Sequence, residues 1–261
     1  RVLETRRADV QRFESLAALA TGVAHGLNNV LTAILGRAEL ASAALPPDSP
    51  IRDHISHIQA AARRAEELAR QLHVYAGEGE SVFEPISLSD LVREMAPLLM
   101  AALPRSVTLD LQLGDHLPRV DADPLLLPQM VTNLVVNASE AIGDLPGTVT
   151  IRTSSRPLDP DDHPVDDLGR TLPGGSYVGL DVCDTGVGMD DDTIARLFDP
   201  FFSTKGTGRG LGLAAVRGIV LEHDAPIHVS SACGAGSTVA ISFRLSAAAV
   251  LEVTESPSRD P

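Results

Sequence analysis

The chain is 261 residues long, 44% apolar but only 3% aromatic, and its 35 acidic against 21 basic side chains give a formal net charge of −14 at neutral pH. That length holds one large or two modest domains, each able to bury its own core. Non-specific nucleic-acid binding works by neutralising phosphates with Lys and Arg, so the charge excludes it. The two cysteines, Cys183 and Cys233, form no CxxC pair, which implies free thiols in a reducing compartment and no metal held by them. No apolar run reaches the roughly 18 residues of a membrane span and no basic, apolar leader opens the chain, so this segment is expected to be cytoplasmic and free of membrane contact. The opening on Arg1 rather than Met reads as part of a longer protein, whose anchoring stays open.

From Leu16 the apolar positions Leu16, Ala20, Val23, Leu27, Val30 and Ile34 alternate steps of four and three, the spacing of a bundle seam. They predict a helix that begins before Leu16 and ends near Leu45. Pro46 and Pro47 stop it, Ser49 can cap the next helix, and Pro50 fits its first turn. A second seam follows at Ile51, Ile55, Ile58, Ala62, Ala65, Ala69 and Leu72. Two helices cannot bury both seams alone, so a homodimeric four-helix bundle is expected. On the first helix His25 falls farthest from the seam, with Asn29 one turn along. On position alone this is a solvated histidine.

Gly77 and Gly79 mark a linker, set at 79–84 between a helical unit at 1–78 and a second domain at 85–246. Ser87 with Asp90 reads as a capping box for a helix to about Ala102, and Val107, Leu109 and Leu111 alternate as a half-buried strand. Asp123-Pro124 starts another helix, on which Gln129, Asn133, Asn137 and Glu140 share one polar face. Taken alone, such a stripe is solvated surface. Strands are expected at 148–154 and 177–183, separated by a surface loop with no assigned chemistry.

Residues 184 to 213 read DTGVGMDDDTIARLFDPFFSTKGTGRGLGL. An acidic turn with two glycines precedes a loop with more glycines and a lysine. Glycines let backbone N–H groups approach phosphate oxygens, and a helix start just after them adds its positive dipole end, so the segment reads as a nucleoside triphosphate site. Phe198, Phe201 and Phe202 look like the apolar anchor of a lid. Closing strands are expected near 227–231 and 237–245, then a flexible tail at 247–261.

Together with AHGLNNVLTAILGRAEL at 24–40, these segments resemble the sensor histidine kinases of two-component systems, closest to the branch whose phosphoacceptor motif reads His-Asp-Phe-Asn-Asn. DADPLLLPQMVTNLVVNASEAI at 121–142 resembles the N box, DTGVGM the G1 box, LFDPFFSTK the F box, GTGRGLGL the G2 box, and GAGSTVAISF at 234–243 the last glycine box. The resemblance implies an α+β chain: an antiparallel helical hairpin forming a dimeric four-helix bundle, then an α/β sandwich of the histidine kinase, Hsp90 and gyrase type. It implies ATP and Mg²⁺ as cofactors and His25 as phosphoacceptor, with Asn29 positioning water in a phosphatase reaction. Asn133 and Asn137 would meet Mg²⁺ and the triphosphate, and Glu140 would share that pocket. Asp184 would accept a hydrogen bond from the adenine amino group, beside Gly186 and Gly188. Phe198, Lys205, Gly208, Gly210, Leu211, Gly212 and Thr238 would complete the ATP site, Lys205 as a point charge on the phosphates. The implied partners are a second copy of the chain and a response-regulator receiver domain, separate or fused.

One position departs from the pattern: Gly26 stands where an acidic residue normally follows the phosphoacceptor. That carboxylate would orient the imidazole and accept its proton, help typically worth about 10² to 10⁴ in rate. An ATP-binding regulatory scaffold or phosphatase with little kinase activity is therefore the alternative. An ATPase of the wider gyrase, Hsp90 and MutL fold would have no use for an exposed histidine on a helical dimer.

Overall fold

A computed structural model describes residues 30–46, 49–75, 82–158, 165–204 and 210–246. The chain separates after Gly79 into two compact units. His25, Gly26, Asn29, Lys205, Gly208 and the tail from 247, all of which carry expectations above, lie outside the described residues.

The first unit contains α1 (residues 30–44) and α2 (Ile51–Tyr75). The break between them falls at the prolines, and Arg52 closes it. Its guanidinium donates to the carbonyls of Ser42 at 2.8 Å and Pro46 at 3.2 Å, beside the turn bonds that these oxygens accept from the N–H groups of Leu45 and Ser49. Leu31, Ala38, Ile55 and Ala62 are buried, while Val30, Ile34, Ile51 and Ile58 remain 55%, 40%, 53% and 50% exposed. The seams read from sequence are thus split. Leu31 and Ala38 were missed because a bundle helix meets more than one neighbour, and its apolar arc is wider than one row.

The second unit is a two-layer sandwich. Its strands are β1 (Glu84–Ile86), β2 (Val107–Leu113), β3 (Val120–Ala122), β4 (Gly147–Leu158), β5 (Gly175–Asp184), β6 (Ile227–Ala232) and β7 (Gly236–Arg244). Its helices are α3 (Leu88–Ala102), α4 (Leu126–Ile142), α5 (Asp191–Arg196) and α6 (Gly212–Glu222). The main sheet runs β2-β4-β5-β7-β6; β2 is parallel to β4 and the other neighbours are antiparallel. Alternation buries Val149, Ile151, Leu180, Val182, Val229 and Ile241 against the helical layer. The opposite face carries polar ladders, such as Arg152 Nε to Gln112 Oε1 at 2.6 Å and Gln112 Nε2 to Asp110 Oδ2 at 2.7 Å. On that face Arg156 crosses Gly179 to reach Asp181; a Cβ on residue 179 would lie 2.3 Å from the Arg156 Nε.

The helix caps form as their residues dictate. The Ser87 side chain accepts the Asp90 N–H at the start of α3. Asp123 Oδ1 accepts the N–H groups of Leu125 at 2.8 Å and Leu126 at 3.1 Å, and its carbonyl accepts Leu127 N–H. The Asp123 N–H donates in turn to Nε2 of His223 at 3.0 Å, and His223 Nδ1 meets the Ile219 carbonyl at 2.8 Å. One imidazole therefore ties the start of α4 to the end of α6, between the rings of Phe83 and Phe243.

Two expectations about local structure are corrected. The 155–175 segment is not simply a surface loop: β4 continues to Leu158, and Asp166 orders the return by accepting from the N–H groups of Leu168 and Arg170 and pairing with the Arg170 guanidinium. Asp167 then bonds Ile227 and Val229, covering the open edge of β6. The polar stripe of α4 is not simply solvated surface either: Gln129 and Asn133 are buried, while Asn137 is half-buried and Glu140 exposed. Here α4 packs against α6.

Candidate nucleotide-binding site

The site is assembled by glycines that let backbone segments touch. At the end of β5, Asp184 Oδ1 accepts the Gly186 N–H at 2.8 Å, folding the chain into a tight turn. A Cβ at Gly186 would lie 2.6 Å from the Ala141 carbonyl, and Val187 N–H donates to that same oxygen at 3.1 Å, so the turn rests directly on the backbone of α4. Gly188 has a φ of +66°, and a Cβ there would lie 1.9 Å from the Ala232 carbonyl oxygen. This brings the turn onto the β6–β7 hairpin, where Gly234 N–H donates to the Val187 carbonyl at 2.7 Å.

The far wall is pinned in the same way. Phe201 N–H donates to the Gly210 carbonyl at 3.0 Å, and Gly210, with φ of +109°, lies against Phe202. This bond and this contact bring Gly210 against Phe201 and Phe202. Phe202 is also covered by the Arg196 guanidinium, 4.4 Å from the ring centre. Beyond Gly210, α6 begins at Gly212 with no side-chain cap from Leu211. Its first N–H groups are therefore oriented for an anion.

Between these walls lies a cleft of about 970 Å³, part of it open to solvent. Its apolar floor includes Leu134, Ala138, Val182 and Val239, and its polar rim includes Asn137, Glu140, Asp184 and Ser237. That combination suits a flat base and a charged tail. Behind Gly212 sits the buried Asn133 amide, whose Nδ2 has no hydrogen-bond partner among the described residues. An orphaned amide costs free energy unless a ligand satisfies it. If the terminal atoms of that amide are exchanged, its oxygen is a hard neutral donor, so the residue fits a Mg²⁺–phosphate unit.

Residues 122–247 match the family model described as "Histidine kinase-, DNA gyrase B-, and HSP90-like ATPase". The sensor kinase CckA of Brucella abortus (strain 2308) is 34% identical over 247 residues, covering 92% of this chain and 25% of the relative. The chain belongs to the sensor histidine kinases of two-component systems. Full-length ShkA, solved in complex with AMPPNP, shares the fold of this chain at 22% identity and a TM-score of 0.68, over 89% of this chain and 46% of ShkA. ThkA, solved with the response regulator protein TrrA, shares it at 21% identity and a TM-score of 0.57, over 94% of this chain and 66% of the other. The chain spans less than half the length of the first curated relatives it matches.

Of the ATP-site residues expected from the sequence, Asn137, Glu140, Asp184, Gly188, Gly210 and Gly212 line the cleft. Asn133 lies behind its wall, and Gly186 shapes the turn without lining it. Three placements are corrected. Phe198 is buried in the core and Phe202 takes the cleft wall, while Phe201 points outward at 66% exposure, so the three rings are not one anchor. Leu211 precedes α6 without lining the cleft. Thr238 pairs with Cys183 on the polar face of the sheet, and the neighbouring Ser237 and Val239 face the cleft. Strand parity, counted from Asp184 paired with Ser237, is the signal that would have found Ser237.

Among the described residues no helix is long and apolar enough to cross a membrane.

Proposed function

We propose that this chain is the catalytic core of a histidine autokinase: ATP held in the cleft gives its γ-phosphoryl group to His25, which passes it to an aspartate on a receiver domain. The observation carrying the reading is the cleft itself, with Asp184 at the base end and the uncapped start of α6 at the other. A ring nitrogen of His25 attacks the γ-phosphorus, the bond to the β–γ bridging oxygen breaks, and ADP leaves. Neutral imidazole is a competent nucleophile near pH 7. Phosphoryl transfer mostly requires alignment and charge neutralisation. Asn133 and Asn137 would hold Mg²⁺, which supplies charge neutralisation at the phosphates when bound. Lys205 and the N–H groups at Gly210 and Gly212 add theirs.

The test is incubation with Mg²⁺ and ATP labelled at the γ-phosphate, followed by addition of a candidate receiver. Acid-labile label that moves to the receiver supports the reading. Acid-stable label overturns it.

The exposed Val30, Ile34, Ile51 and Ile58 support a second copy completing a four-helix bundle. The double substitution Ile34→Glu with Ile58→Glu is expected to convert a dimer to a monomer in sedimentation velocity; unchanged sedimentation would count against this face.

Gly26 favours a second reading, a regulatory scaffold or phosphatase, with Asn29 positioning water on the receiver's acyl phosphate. Gly26→Asp is expected to raise the rate of phosphohistidine formation by up to about 10², the lower range for general-base help. A mutant that labels no faster defeats the missing-base argument. Dephosphorylation of a receiver outpacing autophosphorylation would favour the second reading.

A further inference from the structure

The hydroxyl of Ser231, outside every motif read from the sequence, holds three partners at once. It receives the Met189 N–H at 2.9 Å, lies 2.9 Å from the Gly236 carbonyl, and lies 2.9 Å from the Ser237 hydroxyl. A serine hydroxyl has one proton and two lone pairs. The Gly236 carbonyl can only accept, so the Ser231 proton goes there. One lone pair takes Met189 N–H, and the other must take the proton of Ser237. With three bonds and one hydrogen, no other assignment makes them all.

This fixes the polarity of Ser237. Ser231, Ser237 and Asp184 stand in one row across β6, β7 and β5. Ser237 and Asp184 both line the cleft. With its proton committed backwards, Ser237 shows the cleft only lone pairs, next to a carboxylate that also accepts. At this end of the cleft Asp184 and Ser237 therefore offer acceptors side by side, and neither offers a hydroxyl donor. A purine with an exocyclic amino group brings two N–H bonds to such a wall, whereas a 6-oxo purine brings lone pairs that it repels.

We infer that Ser231 is a positioning residue that sets base specificity, holding Ser237 as an acceptor so that the cleft selects 6-amino over 6-oxo purine nucleotides. This rests on the ATP reading of the cleft. Without the Ser231 hydroxyl, Ser237 is free to turn its proton toward the ligand and donate to a 6-oxo group.

The experiment measures the dissociation constants of ATP and inosine triphosphate for the whole chain by calorimetry. Ser231→Ala should lower the ratio of inosine triphosphate to ATP dissociation constants by about fivefold, the size of one hydrogen bond changed from repelled to made. Ser231→Thr, which keeps a hydroxyl, should restore it. In a Ser237→Ala background, Ser231→Ala should move the ratio no further. Both affinities falling in parallel with the ratio unchanged would mean that Ser231 only supports the turn, and would overturn the inference. If Ser231→Ala does not fold, Ser237→Ala alone must lower the ratio, and an unchanged ratio there overturns it equally. A parent chain that binds neither nucleotide defeats the ATP reading, and this inference with it.

Discussion

Replacing Gly188 with alanine is expected to lower ATP affinity by about 100-fold or more, because the residue is held in a conformation and a space that exclude a side chain. Its φ is +66°, where a Cβ costs roughly 1–2 kcal/mol. The new atom would also sit 1.9 Å from the Ala232 carbonyl, so either the turn or the β6–β7 hairpin must move. Moving them stretches two bonds, Gly234 N–H to Val187 O and Met189 N–H to Ser231 Oγ. Each is worth about 1 kcal/mol. A total near 3 kcal/mol, falling on the shape that binds nucleotide, is about a factor of 100. Gly143→Ala is the control. It has a similar φ of +71° but nothing within 4 Å of the added atom, and it does not itself line the cleft. With ψ of −139° it lies outside the left-handed helical region, so alanine there should cost about 1–3 kcal/mol of stability and leave ATP affinity unchanged. Calorimetric titration on both variants checks the pair; equal losses of affinity would mean that strain alone matters at these turns.

The stability of the second unit should fall as pH drops below about 6.5, and His223 is the reason. Burial holds its pKa below the ordinary value of 6.5, against the opposing pull of the Ile219 carbonyl and the charges of Asp123 and Glu222. Nε2 accepts the Asp123 N–H, which requires the neutral ring with its proton on Nδ1. The unfolded chain takes up a proton at pH 6.5 while the folded chain declines it. Stability is therefore greatest above pH 6.5 and declines toward the depressed folded pKa. His223→Leu removes that dependence and leaves the Asp123 N–H without a partner, for a loss of about 1–3 kcal/mol at pH 7.5. Urea unfolding followed by circular dichroism at pH 7.5 and 5.5 reads both effects. A parent difference between the two pH values that survives in His223→Leu would assign it to another group.

Much of this second unit was legible because its signals are local. Ser87 with Asp90 and Asp123 with Pro124 mark helix starts through bonds spanning three residues, and the alternation in β2 follows from one half-buried face. The missed parts depend on distant partners. The β1–β3 ribbon has three residues per strand, too few for a period, and α5 has six. On pattern alone Gln129 and Asn133 look like surface, because nothing in their own helix announces that α6 will pack against it; only the family resemblance gave Asn133 a use. Thr238 was chosen over Ser237 because a glycine motif fixes position along the chain but not which face of a strand a residue takes; only its register with Asp184 decides that. His223 and Ser231 belong to no motif and acquire roles only where three elements meet.

The claim that the cleft serves His25 is tested most directly by incubating the parent, Gly188→Ala and His25→Ala with Mg²⁺ and ATP labelled at either the α- or the γ-phosphate. At ATP near the parent's dissociation constant the account predicts acid-labile label on the parent from the γ-position only, far less on Gly188→Ala, and none on His25→Ala. Label retained by His25→Ala, or taken up from the α-position, would contradict it.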